Sequence, residues 1–233
     1  MRAGQGACGT SGARPGDNRG MALRAITSPD FPFLTGEGEE ASAAGPDKVT
    51  ILLHGYGSNE HDLAGLTPYL PGSAPWASLR APIEMGYGGA AWFPLEGDWL
   101  RPEPIEEATA LVWEWIDGHV PATAAISALG FSQGGLMVTQ LLRTRPERVA
   151  DAVVLSGFVL GASQPGDDTL RESRPHVFWG RGTADPVIPP ALVSAASAWF
   201  PEHVTLTEKI YPGMGHSVND AELADVARYL QRG

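Results

Sequence analysis

The chain has 233 residues, 43% of them hydrophobic, which is enough for one α/β domain with a full core. Its 16 basic residues against 27 acidic ones give a formal net charge of −11. That balance favours solubility and argues against binding nucleic acid or anionic membranes. A single cysteine, Cys8, excludes an intrachain disulfide and fits a cytoplasmic protein, and no apolar run approaches the ~20 residues of a membrane helix.

Residues 1–20, MRAGQGACGTSGARPGDNRG, lack the apolar segment of a signal peptide and read as a disordered tail. Gly6-Ala7-Cys8 resembles a lipoprotein cleavage site only in those three letters, since no hydrophobic segment precedes it. Met21 is a candidate natural start, and residues 21–233 are expected to form a single domain. Residues 36–47 read as a loop or hairpin connection. Lys48 to Leu53 (KVTILL) is a buried strand ending in His-Gly, and Trp76 to Ala81 contains another. Pro82 to Pro102 reads as a long irregular stretch carrying Trp92, Phe93 and Trp99, and long ordered loops are often functional.

From Glu103 to about His119 the pattern is helical, with Ile105, Leu111, Val112, Trp115 and Ile116 on one face. Ile126 to Leu129 is a strand, followed by GFSQGG and a helix to about Arg143. Ala152 to Leu155 and His176 to Trp179 are strands, and Pro190 to Phe200 is a helix. Val204 to Tyr211 is a last strand. Asn219 to Gln231 is a closing helix, with Asn219 as N-cap and Glu222 three residues on. This alternation predicts an α/β fold: a mostly parallel central sheet, helices on both faces, and a site at the C-terminal strand ends.

The glycines of GFSQGG raise the chemical question. G-x-S-x-G between a strand and a helix is the nucleophile-elbow pattern of α/β-hydrolases. Gly130 and Gly134 flank Ser132 because side chains there would strike the neighbouring strand and helix. The helix N-terminus then points free N–H groups at the serine. Taken alone the motif also describes an ordinary strand-to-helix loop. Three more loops follow the arrangement this fold requires. Asp185, in GRGTADPVIP, lies beyond the C-terminal end of the HVFW strand. Of the competing acids, Asp151 precedes its strand, and Asp167 and Asp168 read as a solvated loop. His216, in YPGMGHSV, follows the last strand, whereas His176 begins one strand and His203 precedes another. His54-Gly55-Tyr56-Gly57 follows KVTILL, and such a loop supplies the second oxyanion donor. The backbone N–H groups of Tyr56 and Gln133 are assigned to that hole, and His54 to a structural place in the loop.

From about Val49 to the C-terminus the chain resembles the carboxylesterase/phospholipase family, whose relatives include acyl-protein thioesterases. The resemblance rests on LHGYG, RAPIE followed by AWFPL, LGFSQGG, GTADPVIP and GMGHSV. It implies an α/β-hydrolase fold, a Ser132–Asp185–His216 triad, and neither a metal nor an organic cofactor. Tyr56 stands where many thioesterase-like members have leucine, and Ser58-Asn59-Glu60 replaces their acidic follow-on. These departures lean towards bacterial esterases and away from protein depalmitoylation.

Gly157 to Pro175 is too short to encode a large cap domain. An open groove is therefore expected, walled by Met85, Tyr87, Trp92 and Phe93, with Trp99 in the core. The expected activity is serine carboxylesterase action on small-molecule esters of short to medium acyl length. A (lyso)phospholipase or acyl thioesterase is the alternative. A peptidase lacks a domain to position its peptide, and a dienelactone hydrolase would carry cysteine at position 132. A non-catalytic binding module would have lost a triad residue. The family's members suggest a monomer or homodimer.

Overall fold

The computed structural model describes residues 22–31, 46–70, 74–95 and 100–232. The expectations for residues 1–20, for Met21, for most of the 36–47 connection and for Trp99 lie outside the described residues.

The strands are β1 (Ala25–Thr27), β2 (Lys48–Leu53), β3 (Trp76–Leu79), β4 (Ile83–Glu84), β5 (Ala90–Ala91), β6 (Ala125–Phe131), β7 (Val149–Leu155), β8 (His176–Gly182) and β9 (Thr205–Tyr211). Seven of them form one sheet in the order β1-β3-β2-β6-β7-β8-β9. Only β1 runs antiparallel to its neighbour. The central strands are mostly apolar because both of their faces are covered, with Lys48 and Asp151 at their N-terminal ends. In β2, Val49, Ile51, Leu52 and Leu53 are all fully buried.

The helices are α1 (His61–Ala64), α2 (Pro102–His119), α3 (Gln133–Thr144), α4 (Asp167–Ser173), α5 (Pro190–His203) and α6 (Asp220–Leu230). Pro102 opens α2 at a position where no N–H is needed, and Ile105, Val112, Trp115 and Ile116 bury its inner face. That face joins α3 and α5 in the larger core, against Ile51, Leu53, Ala128 and Val154. On the other face, Leu63 of α1 and Val226 and Tyr229 of α6 pack on Leu52, Leu129, Val153 and Phe178. The alternation within β2, with Ile51 and Leu53 on one side and Leu52 on the other, is the pleat that separates the two layers.

Three readings of the sequence need correction. The 82–102 stretch is not wholly irregular, since β4 and β5 pair as a short antiparallel hairpin within it. Asp151 lies inside β7, near its start, where it accepts from Lys48 Nζ at 2.7 Å. Asp167 is not solvated: it opens α4 and accepts from Arg143 Nε and Nη2 at 2.7 and 2.8 Å in a buried ion pair. The segment after β7 holds only α4 and loop, with no large cap.

Candidate active site

Four strand ends meet at Ser132. Ser132 follows β6 with φ 55 and ψ −114, a conformation a non-glycine residue rarely adopts. The turn is held by close backbone approach on both sides. A Cβ at Gly130 would lie 2.2 Å from the Gly134 carbonyl oxygen, and one at Gly134 would lie 1.9 Å from that of Leu53. The flanking glycines thus let α3 rise directly off the sheet, and Ser132 is left at its C-terminal edge with 8% exposure.

The loop after β9 brings His216 to this serine. Its Nε2 lies 2.8 Å from Ser132 Oγ, and its Nδ1 lies 2.7 Å from Asp185 Oδ2. Asp185 comes from the loop after β8, where its Oδ1 also accepts the N–H groups of Val187 and Ile188 at 2.8 and 3.2 Å. Burial pushes the Asp185 carboxyl up, but His216 and the two amides outweigh it and hold the group below the ordinary carboxylate range. An ionised Asp185 fixes the proton on Nδ1 and leaves Nε2 facing the serine, the relation of nucleophile, base and base-orienting acid. Phe131 packs on the imidazole with ring centroids 4.8 Å apart.

The N–H groups of Tyr56 and Gln133 have no acceptor among the described residues. They stand on the two loops that flank Ser132, after β2 and at the first residue of α3. His54 is fully buried behind the first loop. Its Nε2 accepts the Ala81 N–H at 3.1 Å, so Nδ1 carries the proton and donates to the Gly55 carbonyl at 2.7 Å. Burial lowers its pKa, which keeps the ring neutral.

The four aromatic-loop residues expected to wall a groove do not line the cavity at Ser132. Trp92 and Phe93 are buried in the core. Trp92 Nε1 donates to the His54 carbonyl at 2.8 Å, its N–H donates to Gln133 Oε1 at 2.8 Å, and Gln133 Nε2 donates to the Phe93 carbonyl at 2.7 Å. The pair therefore ties the loop after β2 to the start of α3. Met85 flanks the β4–β5 hairpin, and Tyr87 stands fully exposed at its tip with φ 59.

The cavity has a volume of about 260 Å³. Leu95, Phe158, Val187 and Ile188 form an apolar wall, and Tyr56, Ser58 and Asp62 form a polar corner. Apart from Tyr56, the sequence reading missed these residues, although Val187 and Ile188 stand two and three positions after Asp185. Among the described residues, no group of three or more His, Cys, Asp or Glu side chains is placed to hold a metal ion. None of the described helices is long and apolar enough to cross a membrane.

The sequence profile of the phospholipase/carboxylesterase family matches residues 40–232. The chain belongs to that family. Among its curated relatives, acyl-protein thioesterase 1 of Saccharomyces cerevisiae is 31% identical, over 80% of this chain and 93% of its own length. The protein of the same name from Kluyveromyces lactis is 28% identical, over 82% and 95%. The crystal structure of the Bacillus cereus carboxylesterase superposes with a TM-score of 0.71 at 19% identity, covering 90% of this chain and 94% of that one, a likeness of fold.

Proposed function

We propose that the chain is a serine carboxylesterase acting on small-molecule esters of short to medium acyl length. The observation that carries this reading is the unbroken hydrogen-bonded line Ser132–His216–Asp185 beside two unpaired amide N–H groups at one cavity. In the proposed reaction His216 Nε2 takes the Ser132 proton as Oγ attacks the ester carbonyl. The Tyr56 and Gln133 N–H groups bind the oxyanion, each donor worth ~3–4 kcal/mol by analogy with other hydrolases. His216 then protonates the leaving alcohol. Water, activated by the same imidazole, releases the acid. A cytoplasmic enzyme, monomer or homodimer, is consistent with the single cysteine.

A thioesterase is the second reading, favoured by the 31% identity to a yeast acyl-protein thioesterase. Rates on p-nitrophenyl acetate through palmitate, compared with an acyl-CoA of matched length, separate the two. Short oxygen esters should be the better substrates, and activity should vanish in Ser132→Ala. A preference for long chains or thioesters would favour the second reading. Inactivity of folded protein on all of them would return it to a binding module.

A further inference from the structure

The cavity is mostly apolar, yet a carboxylate stands at its mouth. Asp62, in the first turn of α1, lines it together with Ser58 and Tyr56. Ser58 Oγ donates to Asp62 Oδ2 at 2.7 Å, which holds the carboxylate on the cavity side of its loop. No Lys, Arg or His lies within salt-bridge distance of Asp62 among the described residues. The neighbouring acid, Glu60, is by contrast neutralised by Arg80 at 2.8 Å. The half-exposed ring of Tyr56 completes the corner.

His216, the proposed proton donor to the departing alcohol, packs on Phe131 with the two rings tilted by 44°. Phe131 packs in the same apolar layer as Leu63, the residue after Asp62. The opposite wall, Phe158 and Ile188, belongs to the other layer and offers only hydrocarbon.

Resting on the esterase reading, we infer that the Tyr56–Ser58–Asp62 corner receives the leaving group, selects esters whose alcohol carries an ammonium group and rejects those whose leaving group is anionic. An unpaired carboxylate attracts the cation, and an aromatic face accepts a quaternary ammonium, which has no N–H to hydrogen-bond and is only weakly hydrated. The same charge repels the phosphates of a coenzyme A thioester. An acyl-CoA is therefore a poor substrate for a reason separate from its sulfur.

Three butyrates of similar size test this: butyrylcholine (cationic), 3,3-dimethylbutyl butyrate (neutral) and 3-sulfopropyl butyrate (anionic). We expect kcat/KM to favour the cation over the anion by about tenfold at low salt, and the ratio to shrink as salt is added. Asp62→Asn should bring the ratio close to one. Glu172→Gln, an exposed change of equal charge on α4, should leave it as it is. A ratio unaltered by Asp62→Asn, or lowered as much by Glu172→Gln, overturns the inference, because the acidic surface as a whole would then be its cause. Hydrolysis of all three esters at equal rates also overturns it and leaves the esterase reading standing. Failure of folded wild type to hydrolyse the neutral ester strikes the esterase reading itself.

Discussion

His54 Nδ1 donates to the carbonyl of Gly55 while its Nε2 is held by Ala81. In a trans peptide the carbonyl of Gly55 and the N–H of Tyr56 point in opposite directions. Pinning the carbonyl one way therefore turns the Tyr56 N–H the other way. A histidine with no place in the proposed proton transfer thus sets the aim of the amide proposed as an oxyanion donor.

His54→Ala is expected to lower kcat by about tenfold to a hundredfold, less than the 10²–10³ lost with an entire donor, and to leave KM little changed. Steady-state kinetics on a short p-nitrophenyl ester would show it. An equal rise in KM would mean that the cavity had collapsed instead.

Gln133 offers its N–H to the proposed oxyanion hole and binds the Trp92–Phe93 backbone with its side chain. Gln133→Ala keeps the first and loses the second, leaving a buried donor and acceptor unpaired. We expect a destabilisation of about 2 kcal/mol in urea unfolding and a smaller loss of kcat than for His54→Ala.

Glu222 sits fully buried below Gly180, and neither of its oxygens has a hydrogen-bond partner among the described residues. Burial, reinforced by the Asp225 carboxylate, pushes its pKa up to about 8 from 4.5. The folded chain therefore binds more protons here than the unfolded chain between those values. Stability falls as pH rises across that window and levels off above it, at a total cost of the order of 5 kcal/mol. Glu222→Gln should exceed wild type in stability at pH 8 and match it near pH 4.5, as read from urea midpoints at the two pH values. Gly180→Ala should force the Glu222 carboxyl to shift, because its Cβ would lie 2.0 Å from Oε1, and should lower the urea midpoint at either pH without unfolding the protein.

Arg143 spans from α3 to Asp167 and to the carbonyls of Leu160 and Ala162, so it pins the segment that carries Phe158 to the cavity. Arg143→Met should cost about 3–5 kcal/mol, since it strands a buried carboxylate. The double change with Asp167→Leu should recover most of that. In wild type, burial raises the Asp167 carboxyl but Arg143 and the Gln164 N–H lower it further. The pair's contribution is therefore complete above the unfolded value of 3.8 and is lost as pH falls through the depressed one.

The parts of the site that were legible in the sequence are those with local causes. Ser132, Asp185 and His216 each stand in a short loop directly after a strand, and an apolar run followed by glycines reveals such a loop without knowledge of its neighbours. Side-chain direction was not legible in the same way. Trp92 and Phe93 could face a groove or a core on sequence grounds, and their inward turn depends on His54 and Gln133, about 40 residues away. Asp167 looked solvated because its partner, Arg143, lies on another helix. Only half of a capping box formed at α6: Asn219 Oδ1 accepts the Glu222 N–H, while the Glu222 side chain turns beneath Gly180. The edge strand β1 is three residues long, too short for alternation to mark it.

The β4–β5 hairpin belongs to a separate two-stranded sheet, yet Gly57 N–H donates to Ala90 O, and Ala90 N–H donates to Ser58 O. One side of the proposed oxyanion hole is thus fastened to a hairpin with two-residue strands rather than to the seven-stranded sheet. Such a unit opens locally at a lower free energy than the sheet unfolds. On heating, turnover should therefore fade before the fold does, and return on cooling as long as the sheet remains intact.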